Sequence, residues 1–270
     1  MTTKQIPHFN IQQICDSGQC FRMTPGEENK YSVVASGRYL EITQEKENCT
    51  FSCGEEEFET FWKNYFDLDR NYEDYLCQIN PNDRYLSEAG RFGYGIRILH
   101  QDLWEMIVSF LISQQNNIAR IRKCIQNICE EYGERQLNFR GEVYYTFPTA
   151  ETLEKLGDDE LKACNLGYRG KYVVRTAKSV VAGEISLEQV KKMSYRKAKA
   201  ELLNLFGVGE KVADCICLFA LHHLQAFPVD THIRQVLDEH YKRGFPNRRY
   251  NGFQGVMQQY IFYYELFGKK

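Results

Sequence analysis

Two residues late in the chain could do chemistry together. Lys211 follows the turn Gly207-Val208-Gly209, and Asp230 sits in Pro228-Val229-Asp230-Thr231-His232. A glycine turn between two helices permits positive φ angles and close backbone approach. It leaves the first N–H groups of the next helix unpaired, at the positive end of its dipole, where a DNA phosphate is a fitting partner. That same dipole favours an uncharged lysine amine in the first turn. A neutral amine is a nucleophile, and lysine is the usual residue for Schiff-base chemistry. Each feature also has a plainer meaning. The turn reads equally as a helix stop, Lys211 as a surface lysine, and Asp230 as the N-cap of the helix it opens. The two together in a basic, helix-rich half are more telling than either alone.

Composition sets the frame. The chain has 270 residues, 43% hydrophobic and 14% aromatic, enough for one large core or two domains. No run approaches the ~18 apolar residues of a membrane span. The start, MTTKQIPHFNIQQ, lacks a charged segment followed by an apolar block, so no secretory signal is expected. With no signal, the ten scattered cysteines fit a reduced cytosolic setting. Cys49 and Cys53 have no second pair at metal-ligand spacing, and no four-cysteine cluster closes the sequence, which argues against an iron–sulfur centre. The formal net charge is −2, but its distribution is uneven. Residues 1–100 carry 10 Lys and Arg against 16 Asp and Glu, whereas Lys162 to Arg249 carry 16 against 8. A basic segment of this kind is either an electrostatic footprint for phosphate or a set of solvated helix faces.

The elements that must position Lys211 and Asp230 follow from periodicity. Residues 1–54 read as strands. Tyr31–Ala35 and Tyr39–Thr43 flank a Ser36-Gly37 hairpin signal, and Gln19–Met23 is a candidate strand after a Ser17-Gly18 turn. Phe58, Phe61, Trp62, Tyr65 and Phe66 then fall on one helical face. From about residue 70 the chain reads as helices. Short ones are expected at 71–79 and 83–89, and a core helix carries Trp104, Ile107, Val108, Leu111 and Ile112. The polar block 113–117 interrupts it, helix resumes over 118–132, and 133–146 reads as irregular. Thr149 caps the next helix. Helices follow at 158–163, 168–181, 186–192, 194–205, 210–221, 230–241 and 254–267.

Here the residues match a family. LFGVGEKVADCICLFAL followed by PVDTH resembles the helix-hairpin-helix DNA glycosylases, and most closely their 8-oxoguanine DNA glycosylase branch. Blocks beginning at Ser17, Gly95, Ser113, Leu166 and Gly255 look like that branch in the same order, so the resemblance covers nearly the whole chain. It implies an α+β fold. An N-terminal antiparallel sheet domain with a helix would span 1–95, and an all-α helix-hairpin-helix bundle would span 96–270.

The resemblance also implies a reaction. Lys211 would attack C1′ of a damaged nucleotide and hold the sugar as a Schiff base, with β-elimination as a second step. Asp230 would stabilise the charge developing on the sugar or orient the amine. The base would be flipped out of the duplex. A Gly18 carbonyl would read the N7 hydrogen that distinguishes 8-oxoguanine from guanine. Phe262 would stack on the base with Cys215 on its other face, and Gln258 would bond its Watson–Crick edge. Asn116, Asn117, Arg120, Tyr168 and Arg169 map to the segments that fill the gap and read the orphaned cytosine. Gln115 aligns with the family's gap-filling asparagine but is one methylene longer, which puts strict cytosine recognition in question. Gly207 and Gly209 would grip one phosphate and His232 would contact another.

By the same resemblance no cofactor is required, though carbonyls of Leu203, Leu205 and Val208 could hold a monovalent cation. The expected partner is duplex DNA carrying 8-oxoguanine opposite cytosine. The protein would be a monomer without membrane contact, cytoplasmic in a bacterium or nuclear in a eukaryote. Two other readings compete. A glycosylase for an alkylated purine is disfavoured by Gly18, Gln258 and Phe262. A non-catalytic DNA-binding hairpin needs neither Lys211 nor Asp230.

Overall fold

Five strands pair antiparallel in the order β1-β5-β4-β3-β2. They are β1 (Thr2–Gln5), β2 (Met23–Pro25), β3 (Lys30–Ala35), β4 (Arg38–Glu45) and β5 (Asn48–Phe51). The computed structural model describes residues 1–157 and 159–269. Alternation explains the sheet. Tyr31, Val33 and Ala35 are buried while Ser32 and Val34 are only partly covered. The expected hairpin joins β3 to β4, with Ala35 opposite Arg38 and positive φ at both Ser36 (49°) and Gly37 (76°). Two positive φ angles match the right-handed twist of the flanking strands.

The first fifty residues depart from an all-strand reading. Ile11–Asp16 is a helix, α1, capped by the Asn10 side chain. Its apolar Ile11, Ile14 and Cys15 have helical spacing, in a run short enough to hide among strands. Gln19–Arg22 is not a strand, because the chain bends there and pairing starts only at Met23. The aromatic helix over 55–66 is present with a local change. α-Helix at Glu55–Glu57 passes into a π-helical turn, Phe58–Trp62, and returns at Lys63–Tyr65.

The remainder is mainly helical. The longer helices are α2 (Arg84–Phe92), α3 (Leu103–Ser113), α4 (Ile118–Tyr132), α5 (Arg169–Val181), α6 (Tyr195–Leu202), α7 (Glu210–Phe219), α8 (Thr231–His240) and α9 (Gln254–Phe267). Thr149 caps its helix as expected. The start of the 158–163 helix lies outside the described residues at Asp158, and Glu160–Lys162 is a 3-10 turn. The helical part is not all-α. Residues 133–146 hold a hairpin, β6 (Arg135–Leu137) with β7 (Val143–Tyr145), where no strand was expected. The hairpin reaches across to the first sheet. The Tyr144 hydroxyl donates to the Gly37 carbonyl at 3.0 Å, and Arg140 pairs with Glu41. No described helix is long and apolar enough to cross a membrane.

Two apolar cores meet at a polar seam. One lies under the sheet around Leu40, Ile42, Phe51, Trp62 and Phe66, and the other fills the helical bundle. Between them runs the extended segment 95–101. Arg97 is buried there, donating to the carbonyls of Pro7, His8, Asp67 and Arg70 at 2.8–3.1 Å. Gln19, also buried, donates to the Arg97 carbonyl and accepts from Leu99 N, both at 2.9 Å. Gln101 returns a bond to the Gln19 carbonyl at 2.8 Å. The backbone immediately after Gly18 is thereby tied to the segment 95–101.

Asp67 gathers a second cluster at the seam. His100 and His222 stack with ring centroids 3.6 Å apart and lie 3.4 and 3.3 Å from its two oxygens. Tyr72 donates to it at 2.9 Å. Burial opposes ionisation of Asp67, but the hydrogen bonds from His100 and His222 outweigh it and hold the carboxyl well below the usual range. Burial pushes His222 below its ordinary value, against the pull of Asp67, and burial does the same to His223. A histidine kept neutral by folding contributes stability that is present above its unfolded value of about 6.5 and is lost as pH falls. The urea midpoint should therefore drop between pH 7.5 and 5.5, and a His222→Asn variant should show a shallower drop. An equal slope in the variant would remove His222 from the account.

Candidate active site

The helix α7 starts at Gly209, and no side chain caps it. The two hairpin glycines do different work. Gly207 has φ +87°, and a Cβ there would fall 2.6 Å from Tyr172, so the turn needs glycine both for conformation and for packing. Gly209 is extended (φ −100°), and a Cβ on it would meet nothing within 4 Å. Open space in front of uncapped helical N–H groups is the arrangement that accepts a phosphate. The positive φ expected of the turn therefore belongs to Gly207, and the exposed backbone to Gly209.

Lys211 is the second residue of α7 and is partly buried. Its amine lies 5.4 Å from the centre of the Phe110 ring, a cation–π distance. Among the described residues no carboxylate approaches it within 4 Å. One helical turn on, Cys215 is buried. Burial pushes its thiol up to about 11, against the nearby Lys211. The thiol stays protonated at neutral pH and does not compete as a nucleophile. Asp230 is the N-cap of α8, and its Oδ1 accepts from Ile233 N at 2.8 Å. The plain capping role is therefore real, and it also fixes the carboxylate's direction.

These residues line one cleft with Gly18, Gln258 and Phe262. All six residues expected to do chemistry or hold the base are thus brought together from α1's C-terminal loop, α7, α8 and α9. The cleft is narrow, about 40 Å³. A wider cleft of 580 Å³ lies beside Leu76, Ile79 and Tyr94, but it contains no lysine. Gly18 explains the tightness. Its φ is +73°, and a Cβ on it would lie 3.1 Å from the Phe262 ring and 3.6 Å from Ile118. Phe262 therefore packs close against Gly18.

The second group of expected residues lies outside the cleft lining, on the loop 113–117, the first turn of α4, the start of α5 and the start of α8. Asn116 and Asn117 mainly shape that loop. Asn116 donates to the Ile112 carbonyl at 3.1 Å, and Asn117 caps α4 through Arg120 N at 2.9 Å. Gln115, exposed like Asn117, holds a left-handed φ of +47°, a conformation that is uncommon outside glycine. Arg169 is buried, and its guanidinium donates to the carbonyls of Gln114 (2.7 Å), Gln115 (2.9 Å) and Leu166 (3.3 Å). Three of its five N–H groups are thus occupied. Tyr168 lies 4.6 Å under that guanidinium and is 47% exposed. Arg120 is exposed. His232 is exposed at the start of α8, its ring edge-on to Phe262 at 6.1 Å.

Several contributors escaped the sequence reading. Phe110, Phe219, Pro228, Ser17 and Gln259 complete the cleft wall. Phe110 was invisible because α3 is buried at every position from Leu103 to Ile112, so no face of it stands out. Gln114 donates to the Gly207 carbonyl at 3.0 Å and ties the exposed loop to the hairpin.

With this geometry in hand, the comparisons are decisive. Residues 108–245 match the model of the HhH-GPD superfamily base excision DNA repair proteins, and residues 2–107 match the 8-oxoguanine DNA glycosylase N-terminal domain. The chain belongs to this superfamily, in its 8-oxoguanine DNA glycosylase branch. It is 30% identical over 262 residues to the N-glycosylase/DNA lyase of Saccharomyces cerevisiae, covering 86% of this chain and 68% of that one. It is 36% identical over 162 residues to the Arabidopsis thaliana N-glycosylase/DNA lyase, covering 58% of this chain and 44% of that protein. The crystal structure of the Clostridium acetobutylicum 8-oxoguanine glycosylase/lyase with DNA containing cytosine opposite 8-oxoG superposes with a TM-score of 0.92. Its identity is 36%, and coverage is 97% of this chain and 93% of that one.

The contact between Gly18 and Phe262 makes a specific expectation. A Gly18→Ala substitution forces an alanine into left-handed space, at a cost of ~1–2 kcal/mol, and presses on Phe262. Thermal melting should show that modest loss, while single-turnover excision should fall far more, by about a hundredfold. Activity that falls only in step with stability would separate Gly18 from the cleft.

Proposed function

We propose that this protein removes 8-oxoguanine from duplex DNA through a Schiff base on Lys211 and then cleaves the strand by β-elimination. The observation that carries this reading is the single cleft joining Lys211, Asp230, Cys215, Gln258, Phe262 and Gly18. In the first step the neutral amine bonds to C1′, and the C1′–N9 bond breaks. The base leaves with the electron pair and takes up the proton released by the amine. Opening of the sugar ring gives the C1′ imine. Loss of a C2′ proton then expels the 3′ phosphate, and water returns the lysine. Asp230, held by the first turn of α8, faces the cleft where positive charge develops on the sugar. Capping alone would account for Asp230, but a binding-only hairpin gives Lys211 in the cleft no role.

Selection falls to the parts of the cleft away from the hairpin. The Gly18 carbonyl is the acceptor for the N7 hydrogen, and a guanine would leave it unpaired in a dry site. Phe262 and Cys215 sandwich the base, and Gln258 meets its Watson–Crick edge. Gln115, Arg120, Tyr168 and the two remaining Arg169 donors face the gap and the orphaned cytosine. Gly209 and His232 contact the phosphate backbone.

The chemistry needs no cofactor. The carbonyls of Leu203, Leu205 and Val208, past the negative end of α6, suit a monovalent cation that would stiffen the hairpin. The Leu205 carbonyl accepts one bond from Val208 N at 3.1 Å, which leaves a lone pair for such an ion. The protein acts as a monomer, in the cytoplasm of a bacterium or the nucleus of a eukaryote.

Borohydride trapping tests the nucleophile. Wild type incubated with an 8-oxoguanine:cytosine duplex should give a covalent band, and Lys211→Gln should give none. A band that survives the substitution would sink the assignment of Lys211. A second test addresses the opposite base. With its longer side chain on a left-handed residue, Gln115 should narrow the preference for cytosine over the other three bases to about tenfold or less, and Gln115→Asn should widen it. Strict cytosine preference in wild type would contradict this role.

A further inference from the structure

Beside Gln258 lies a second buried amide that the reading above does not use. Gln258 and Gln259 are each 3% exposed and both line the base cleft. The Gln258 Nε2 donates to the Pro228 carbonyl at 3.2 Å. A backbone carbonyl only accepts, so this contact turns the Gln258 Oε1 the other way. That oxygen accepts from Gln259 Nε2 at 3.1 Å. The two contacts agree, and together they form a one-way chain running from Gln259 through Gln258 to Pro228. At its far end the Gln259 Oε1 is buried with no hydrogen-bond partner among the described residues. An unpaired buried acceptor is costly, and its retention here calls for a role.

We propose that Gln259 is a positioning residue that sets the hydrogen-bond polarity of Gln258 and thereby the preference for a guanine-type edge. The inference rests on the reading that Gln258 meets the flipped base. A guanine-type Watson–Crick edge presents two donors, N1–H and the 2-amino group. It needs acceptors opposite, and the chain provides them as the Gln258 Oε1 and the Pro228 carbonyl. An adenine-type edge presents an acceptor at N1 and leaves one of these oxygens unpaired. If the Gln258 amide turned over, its oxygen would face the Pro228 carbonyl, acceptor against acceptor. Gln259 makes that orientation unfavourable from the other side as well, because its Nε2 would then face an NH2 group. The Gln258 oxygen has a second lone pair, so it can accept from Gln259 and from the base at once. The free Gln259 oxygen lies at the same wall and can take a donor that arrives with the base or with a water beside it.

The test is a ratio of single-turnover excision rates, 8-oxoguanine over 8-oxoadenine, each opposite cytosine. A ratio cancels any general loss of folded enzyme. Gln259→Leu removes the donor while keeping much of the volume. Gln259→Glu reverses the polarity, because a carboxylate only accepts and draws the Gln258 Nε2 toward itself. The ratio should fall about tenfold in the leucine variant, equivalent to about 1.4 kcal/mol, and further in the glutamate variant. Gln258→Leu serves as the control for the underlying reading. If it collapses the ratio while both Gln259 variants stay within twofold of wild type, the role of Gln259 is overturned and the role of Gln258 stands. If Gln258→Leu also leaves the ratio unchanged, both fall. Where turnover is too slow to follow, the affinity ratio for the two duplexes in a Lys211→Gln background reads the same preference with the same two outcomes.

Discussion

Four backbone carbonyls converge on the Arg97 guanidinium, and the position of the base cleft follows from that convergence. A buried charge is tolerated only when its donors are matched. Here the matching groups come from the N-terminal segment (Pro7, His8) and from the turn after the aromatic helix (Asp67, Arg70). Arg97 thus locks the sheet domain to the segment 95–101. The carbonyl of the same residue accepts from Gln19, and Gln19 is the immediate neighbour of Gly18. Apolar contact alone would allow the two cores to slide, because it has no preferred direction. Directional bonds at the seam fix the place of Gly18 against Phe262.

The exposed loop is held by a related device. Arg169 is buried with three N–H groups on carbonyls of its own chain, two of them from residues 114 and 115. Gln114 passes the constraint to the Gly207 carbonyl. The hairpin, the loop 113–117 and the start of α5 are therefore joined by direct hydrogen bonds. Gln115 sits in left-handed space on top of this arrangement, a strain of order 1 kcal/mol that its neighbours' hydrogen bonds support.

The legibility of these features in the sequence follows from their physics. Motif residues were readable because chemistry restricts residue type: an amine, a carboxylate and two turn glycines at fixed spacing. The sheet was readable where burial alternates, as in Tyr31–Ala35. Ile11–Asp16 and the hairpin at 135–145 were not. The first is too short for its period to emerge, and Arg135, Gln136 and Leu137 are all exposed, so no alternation marks the strand. Gln19–Arg22 misled for the opposite reason. Cys20 and Phe21 are both buried, which a strand with one open face does not allow, and the chain achieves it by bending. The roles of Asn116 and Asn117 as loop bonds, and of Gln259 beside Gln258, depend on which atom meets which. Residue identity carries none of that.

The narrow cleft has a chemical consequence. Lys211 lies among Phe110, Phe219 and a thiol kept neutral by burial, so apolar walls replace part of the solvent around the amine. Electrostatic effects are larger in such a setting than in solvent. In the proposed reaction Asp230 then acts on the sugar's developing charge more strongly than it would in bulk water. On the proposed reading, Phe262 and Gly18, which meet at one wall of the cleft, both face the flipped base. A nucleotide that leaves the Gly18 carbonyl unpaired then forgoes a hydrogen bond inside the cleft, and selection arises there.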